Sequence, residues 1–155
     1  MGIVISVGTG SAPKAETSAV KEWDRKQQNL EQYRAVMALA SAKDIEKGVG
    51  GGQAVAKKVA TMIRENGFLG ALAFAVEKKK DGYKNPANQS VFEAIRKYLV
   101  GAGVVTGCAT ADDLMENVAK GSAESLRYVT AEAIAYMNYL RRFAKPDKGG
   151  SEEDV

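Results

Sequence analysis

Apolar residues recur along most of the chain at helical intervals, and glycine, asparagine and proline punctuate the runs. Trp23, Leu30 and Met37 lie seven apart, with Val20, Tyr33 and Ala40 on the same stripe. The pattern predicts a long first helix, capped by Thr17 or Ser18 and ending at Lys47. Four glycines in residues 48–52 then stop it, because each costs backbone entropy in a helix. A second helix is predicted over 53–66, with Val55, Val59, Met62 and Ile63 inward. Asn66-Gly67 reads as its stop, with Gly67 in the left-handed conformation. A third helix follows over 68–80, with Leu69, Leu72, Ala73 and Val76 inward.

Asp81-Gly82 and Asn85-Pro86 mark the next loop, and Asn88 is a candidate cap for a fourth helix over 89–100. Its apolar face is Val91, Phe92, Ile95 and Leu99. Gly101, Gly103 and Gly107 break the chain, and Val104-Val105 is too short a run for a strand. Thr110-Ala111-Asp112-Asp113 resembles a capping box with Asp in place of Glu. It opens a short helix through Leu114, Met115 and Val118 that ends at Gly121. Ser122 then caps a long last helix to about Ala144, striped by Leu126, Val129, Ala133, Tyr136, Met137, Leu140 and Phe143. Pro146 stops it. The expected fold is all-α, a single-domain compact bundle of about six helices with no strand. Residues 1–16 read as a flexible leader, 17–146 as the bundle and 147–155 as an acidic flexible tail.

Composition narrows the chemistry. With 155 residues the chain can bury roughly 68–70% of its unfolded surface, so no disulfide or metal is needed. His is absent and Cys occurs once, which excludes Ser-His and Cys-His nucleophile pairs and Cys/His zinc sites. Cys108 has no basic neighbour in sequence and reads as a packing residue. A lone thiol suits a reducing cytoplasm. Asp112 and Asp113 are adjacent, so they complement a helix dipole rather than form an acid/base pair. No catalytic set, metal site or cofactor is expected. The longest apolar stretch, 68–76, is interrupted by Gly70 and is too short to cross a membrane. Met1-Gly2-Ile3-Val4-Ile5-Ser6 matches a short myristoylation pattern, though a plain leader is the simpler reading. Val7-Gly8-Thr9-Gly10 lacks the rest of a dinucleotide fingerprint. The glycines of 48–52 precede Lys57 and Lys58 but lack a P-loop ending, so they read as a connector.

The net charge is +3, and the last five residues hold three of the acidic groups, so the body is more basic than the total suggests. Lys57, Thr61 and Arg64 share one face of the second predicted helix, away from its apolar stripe. Lys58 adjoins Lys57, and Arg141, Arg142 and Lys145 end the last helix. Lys21, Arg25, Gln28 and Gln32 form a similar face on the first helix, and Lys78-Lys79-Lys80 end the third. Each cluster alone fits a solvated face or cations at a helix C-terminus. Together they suit phosphate contacts.

Met62-Ile63-Arg64-Glu65-Asn66-Gly67-Phe68-Leu69-Gly70-Ala71-Leu72-Ala73-Phe74 resembles the central signature of the small all-helical subunit of type III-B (Cmr) CRISPR effector complexes. Tyr128-Val129-Thr130-Ala131-Glu132-Ala133 and Leu140-Arg141-Arg142-Phe143-Ala144-Lys145 resemble that family's closing helix. The resemblance covers about residues 20–146. It implies a non-catalytic, cytoplasmic role. Copies of the subunit would stack as a filament beside other subunits of the Cmr complex, along crRNA and target RNA, with no membrane contact. The candidate nucleic-acid-binding residues are then Lys57, Lys58, Arg64, Arg141, Arg142 and Lys145. The residues themselves also permit a homo-oligomeric helical adaptor that binds no nucleic acid.

Overall fold

In the computed structural model of the protein, residues 28–47 and 52–145 are described. The first described helix, α1 (Leu30–Lys47), is opened by Asn29. The Gln32 N–H donates to Asn29 Oδ1 at 2.8 Å, and the Asn29 N–H donates to Gln32 Oε1 at 2.9 Å. This reciprocal pair is a capping box, so Gln28 and Asn29 precede the helix. The prediction of one helix running uninterrupted through Leu30 is corrected here. Its start at Thr17 or Ser18, and Trp23, lie outside the described residues, as do the leader, the tail, Pro146, Lys21, Arg25 and Gly48 to Gly51.

The second and third predicted helices form a single run, α2 (Gln53–Val76), bent at Gly67. The break is where the sequence placed it, but its conformation differs. Gly67 has φ 85° and ψ 160°, which is extended rather than left-handed helical. That region is open essentially to glycine alone. Beyond the bend Phe68 is buried and meets Phe92 edge-on, with ring centroids 5.7 Å apart. Leu72 is buried as expected, whereas Ala73 is exposed. An 18-residue window of α2 has mean hydropathy 1.2, enough by length and composition to cross a membrane. Its apolar face instead packs in the core, and the broken backbone at Gly67 would be costly in lipid.

The helix predicted to reach Lys80 ends at Val76. A hairpin follows, in which β1 (Lys78–Lys79) pairs antiparallel with β2 (Gly82–Tyr83), correcting the expectation of no strand. In the hairpin the Lys78 ammonium bonds Asp112 at 3.0 Å, and the Tyr83 hydroxyl reaches the same oxygen at 3.4 Å. The Asn85 side-chain amide donates to the Phe74 carbonyl, which satisfies the end of α2. Pro86 then opens α3 (Pro86–Gly101), since its fixed φ suits a first helical turn. Asn88 is therefore not the cap. It is buried within α3, with its amide on Met62 Sδ.

The Gly103 N–H bonds Val100 O and the Val104 N–H bonds Leu99 O, a Schellman stop with Gly103 at φ 78°. The capping box on α4 (Ala111–Ala119) forms as read, with Thr110 and Asp113 exchanging bonds. Ser122 caps α5 (Ala123–Phe143), again as read. Among the described residues five helices thus pack around one core, with α5 against both α1 and α2 and with α3 against α2.

Two glycines carry testable constraints. A Cβ at Gly67 would meet nothing within 4 Å, so any cost there is backbone strain alone. Gly67→Ala and Gly67→Asn should each destabilise by about 1–3 kcal/mol in urea melts, because asparagine gains its tolerance in the left-handed helical region and not here. Gly101→Ala should destabilise through a clash, since a Cβ there overlaps the Tyr33 hydroxyl. A Gly67→Asn variant as stable as the parent would place Gly67 in the left-handed helical region instead.

Candidate nucleic-acid interface

The N-terminus of α2 is seated on the C-terminal end of α5. The Gln53 N–H donates to the Lys145 carbonyl at 2.9 Å, and its side-chain amide to the Arg141 carbonyl at 3.1 Å. Farther along α2, Arg64 Nη2 donates to Asn138 Oδ1 on α5 at 3.4 Å. Asn138 is four residues before Arg142, one helical turn along α5. Both arginines are exposed.

The other predicted site residues are distributed differently. Lys57 is exposed on α2. Lys58 is exposed too, but its ammonium lies over the Phe74 ring at 5.9 Å, a cation–π contact across the Gly67 bend. Arg141 is half-buried, and its Nε is buried without a hydrogen-bond partner among the described residues. Lys145 is exposed, and its carbonyl holds α2. Lys57, Arg64 and Arg142 thus face outward, while Lys58, Arg141 and Lys145 also serve packing or backbone roles.

Reading the sequence missed Arg34, Asn138 and Tyr139. With Ala135 and Arg142 they line a shallow depression between α1 and α5. Arg34 is held by a buried cluster. Its Nη2 bonds Glu132 Oε1 at 2.9 Å and its Nε bonds the Tyr98 hydroxyl at 3.3 Å. That hydroxyl donates to the same Glu132 oxygen at 2.7 Å. The ion pair is 16% and 13% exposed, so it is largely shielded from water. Tyr98 stacks on Tyr136 with centroids 4.9 Å apart and planes 9° from parallel. The Tyr139 hydroxyl donates to Glu31 at 2.6 Å.

Chemistry elsewhere is limited. Among the described residues no group of three or more His, Cys, Asp or Glu could hold a metal ion. Burial, followed by the nearby Asp113, pushes the Cys108 thiol above its ordinary pKa, which lowers its thiolate fraction. Asp113 is spent on the cap and Asp112 on Lys78.

The sequence pattern of the family described as CRISPR-associated protein (Cas_Cmr5) matches residues 25–146. The chain belongs to the Cmr5 family. This is the small helical subunit of the type III-B effector, in general a non-catalytic member of the Cmr complex. A crystal structure of a CRISPR-associated Cmr5 family protein from Thermus thermophilus has a TM-score of 0.59 with this chain. The alignment covers 76% of this chain and 95% of that one at 22% identity, so it speaks for the shared fold. No curated protein matches the chain.

The cluster beneath the interface has a pH signature. Burial, then the bond to Glu132, raises the Tyr98 hydroxyl well above its usual 10.0, and burial does the same to Tyr136, with Ser41 opposing. A raised folded pKa means the folded state keeps protons that the unfolded state loses. The stability this provides is complete below pH 10 and is lost as pH rises beyond it. Tyrosinate absorbance from these two residues should therefore appear together with unfolding, as read by circular dichroism. Glu132→Ala should cost about 3 kcal/mol near neutral pH by leaving Arg34 half-paired in the core, and Glu132→Gln should cost less.

Proposed function

We propose that this Cmr5-family chain is a non-catalytic structural subunit that contacts the RNA backbone through basic helix faces and stacks with copies of itself. The observation that supports the reading is a pair of exposed arginines around Asn138, Arg64 of α2 bonded to its side chain and Arg142 one turn farther along α5. Exposed guanidinium groups suit phosphate, which accepts paired N–H donors. Lys57 extends the same face of α2, two turns from Arg64. Lys58, Arg141 and Lys145 add positive charge around the α2–α5 junction. Such contacts fix position without reading sequence, consistent with a complex in which base pairing supplies specificity.

Stacking has its own support. Val36 and Leu39 on α1, and Tyr128 on α5, are large apolar side chains left 38%, 52% and 51% exposed. They would serve as packing edges between copies or toward other subunits of the Cmr complex, and they are what favours the adaptor as a second reading. A cytoplasmic setting agrees with a single buried thiol.

Few phosphates are contacted per copy, so the isolated chain should bind RNA weakly, and affinity in the assembly should come from many copies. The double change Lys57→Glu and Arg64→Glu should weaken RNA binding without lowering helicity. It should also flatten the slope of log affinity against log salt by roughly 0.7–0.9 for each phosphate no longer neutralised. Unchanged RNA binding together with failed assembly would favour the adaptor. No RNA-cleaving activity should accompany the purified chain. Metal-dependent cleavage abolished by changing one carboxylate would refute that expectation.

A further inference from the structure

The edge of α2 that meets α5 carries positive charge with no acid to balance it. Gln53 and Arg64 both bond α5, and Lys57 lies between them on the same edge, one turn after Gln53 and two turns before Arg64. Glu65 is the sole carboxylate on α2, and it falls seven residues after Lys58, on the neighbouring face. From α5 come Arg141, Arg142 and Lys145, with no carboxylate after Glu132. Glu31 and Glu132 offset Arg34 and Arg142 on the α1 side of α5, so the excess charge lies on the α2 side with Lys57 and Arg64. Among the described residues neither of these two makes a salt bridge, whereas Lys78, Lys84, Arg96 and Lys120 each pair with a carboxylate.

The Lys145 carbonyl holds the Gln53 N–H, so the residues that follow Lys145 start at one end of this edge. They read Pro-Asp-Lys-Gly-Gly-Ser-Glu-Glu-Asp-Val. Asp147 and Lys148 cancel, and Glu152, Glu153 and Asp154 concentrate the negative charge. Glu152 is seven residues after Lys145, a reach of roughly 23–25 Å at full extension. Gln53 to Arg64 is eleven residues of helix, roughly 16 Å. The acidic stretch therefore reaches the whole edge. Carboxylates and phosphates accept from the same cationic donors, so the two are rivals for it.

We propose that Glu152, Glu153 and Asp154 fold back on the α2–α5 edge and pair with Lys57 and Arg64, so that the chain carries its own competitor for RNA. The competition rests on the RNA-contact reading, and the fold-back does not. Exposed ion pairs are individually weak and screened by salt. The short tether offsets this by holding the acids at high effective concentration. The contact is thus loose, salt-sensitive and displaceable by RNA that many copies hold together.

A nitroxide placed on the full chain through Ser151→Cys reports the fold-back without RNA, because Cys108 is buried. At low salt it should broaden the backbone amides around Lys57 and Arg64 in NMR spectra. Tethering alone broadens the end of α5 whatever the charge, so the same label is read with Glu152→Gln, Glu153→Gln and Asp154→Asn together. These changes lie outside the described residues of the fold. Broadening near Arg64 should fall in that neutral variant and in raised salt. Equal broadening in both chains overturns the fold-back. RNA titrated into the acidic chain should relieve the broadening, and the neutral variant should bind RNA about three- to tenfold more tightly at low salt. A gain of the same size in a Lys57→Glu, Arg64→Glu background is general charge, and it overturns the pairing. If the broadening depends on the acids but RNA does not relieve it, the fold-back stands and the competition is overturned. If neither chain binds RNA, the RNA-contact reading fails with the competition, while the broadening still decides the fold-back.

Discussion

The bend at Gly67 is the constraint on which the arrangement of α2 depends. At φ 85° and ψ 160° the backbone adopts a conformation closed to ordinary side chains. One continuous α2 would carry its apolar stripe along a single straight line. With the bend, the first half anchors on α5 through Gln53 and Arg64, and Phe68 on the second half packs against Phe92 of α3. Lys58 and Phe74 face each other across the turn. The bend thus sets both the core contacts of α2 and the place where Arg64 meets α5.

A second device ties α1 to this frame. Arg34, Tyr98 and Glu132 come from α1, α3 and α5 and share one hydrogen-bonded cluster. A largely buried ion pair is at best a modest net gain in stability, because both charges leave water. Its value here is geometric. The pair links α1 to α3 and α5 through one guanidinium. Tyr33 and Met37 are directed into the core, and Val36 and Leu39 outward. The cluster also holds Arg34 at the rim of the depression beside Arg142. Core structure and candidate interface therefore share a residue, and damage to one reaches the other.

The RNA contacts and the stacking of copies are both proposals, and they fit together. Each copy offers a few outward cations, several of them partly offset by nearby carboxylates or used in packing. Weak, sequence-independent contacts of this kind hold a backbone in place without competing with base pairing. Their additive strength depends on spacing, which rigid packing of the helices supplies.

Much of this was legible in the sequence, for identifiable reasons. Caps are local chemistry, so Thr110, Ser122 and the break at Gly67 could be placed from a few neighbouring residues. The apolar stripes of α3, α4 and α5 followed from helical period alone. The resemblance to the Cmr5 family rested on two short segments, and the family match spans residues 25–146. What failed was decided partly by partners distant in sequence and partly by a competing local start signal. Lys78 lies in a hairpin, where its ammonium bonds Asp112, far along the chain. Asn88 is buried against Met62 because Asn85 and Pro86 already supply the helix start. Arg34, Asn138 and Tyr139 sit on three-four periodic helices like many solvated polar residues, and no local pattern marks them. Only packing brings α1, α2 and α5 together so that their side chains orient one another. Period, caps and composition are properties of neighbouring residues and are written in the sequence. Which side chains share a pocket depends on how distant helices are rotated against each other, and that is set by the tertiary fold.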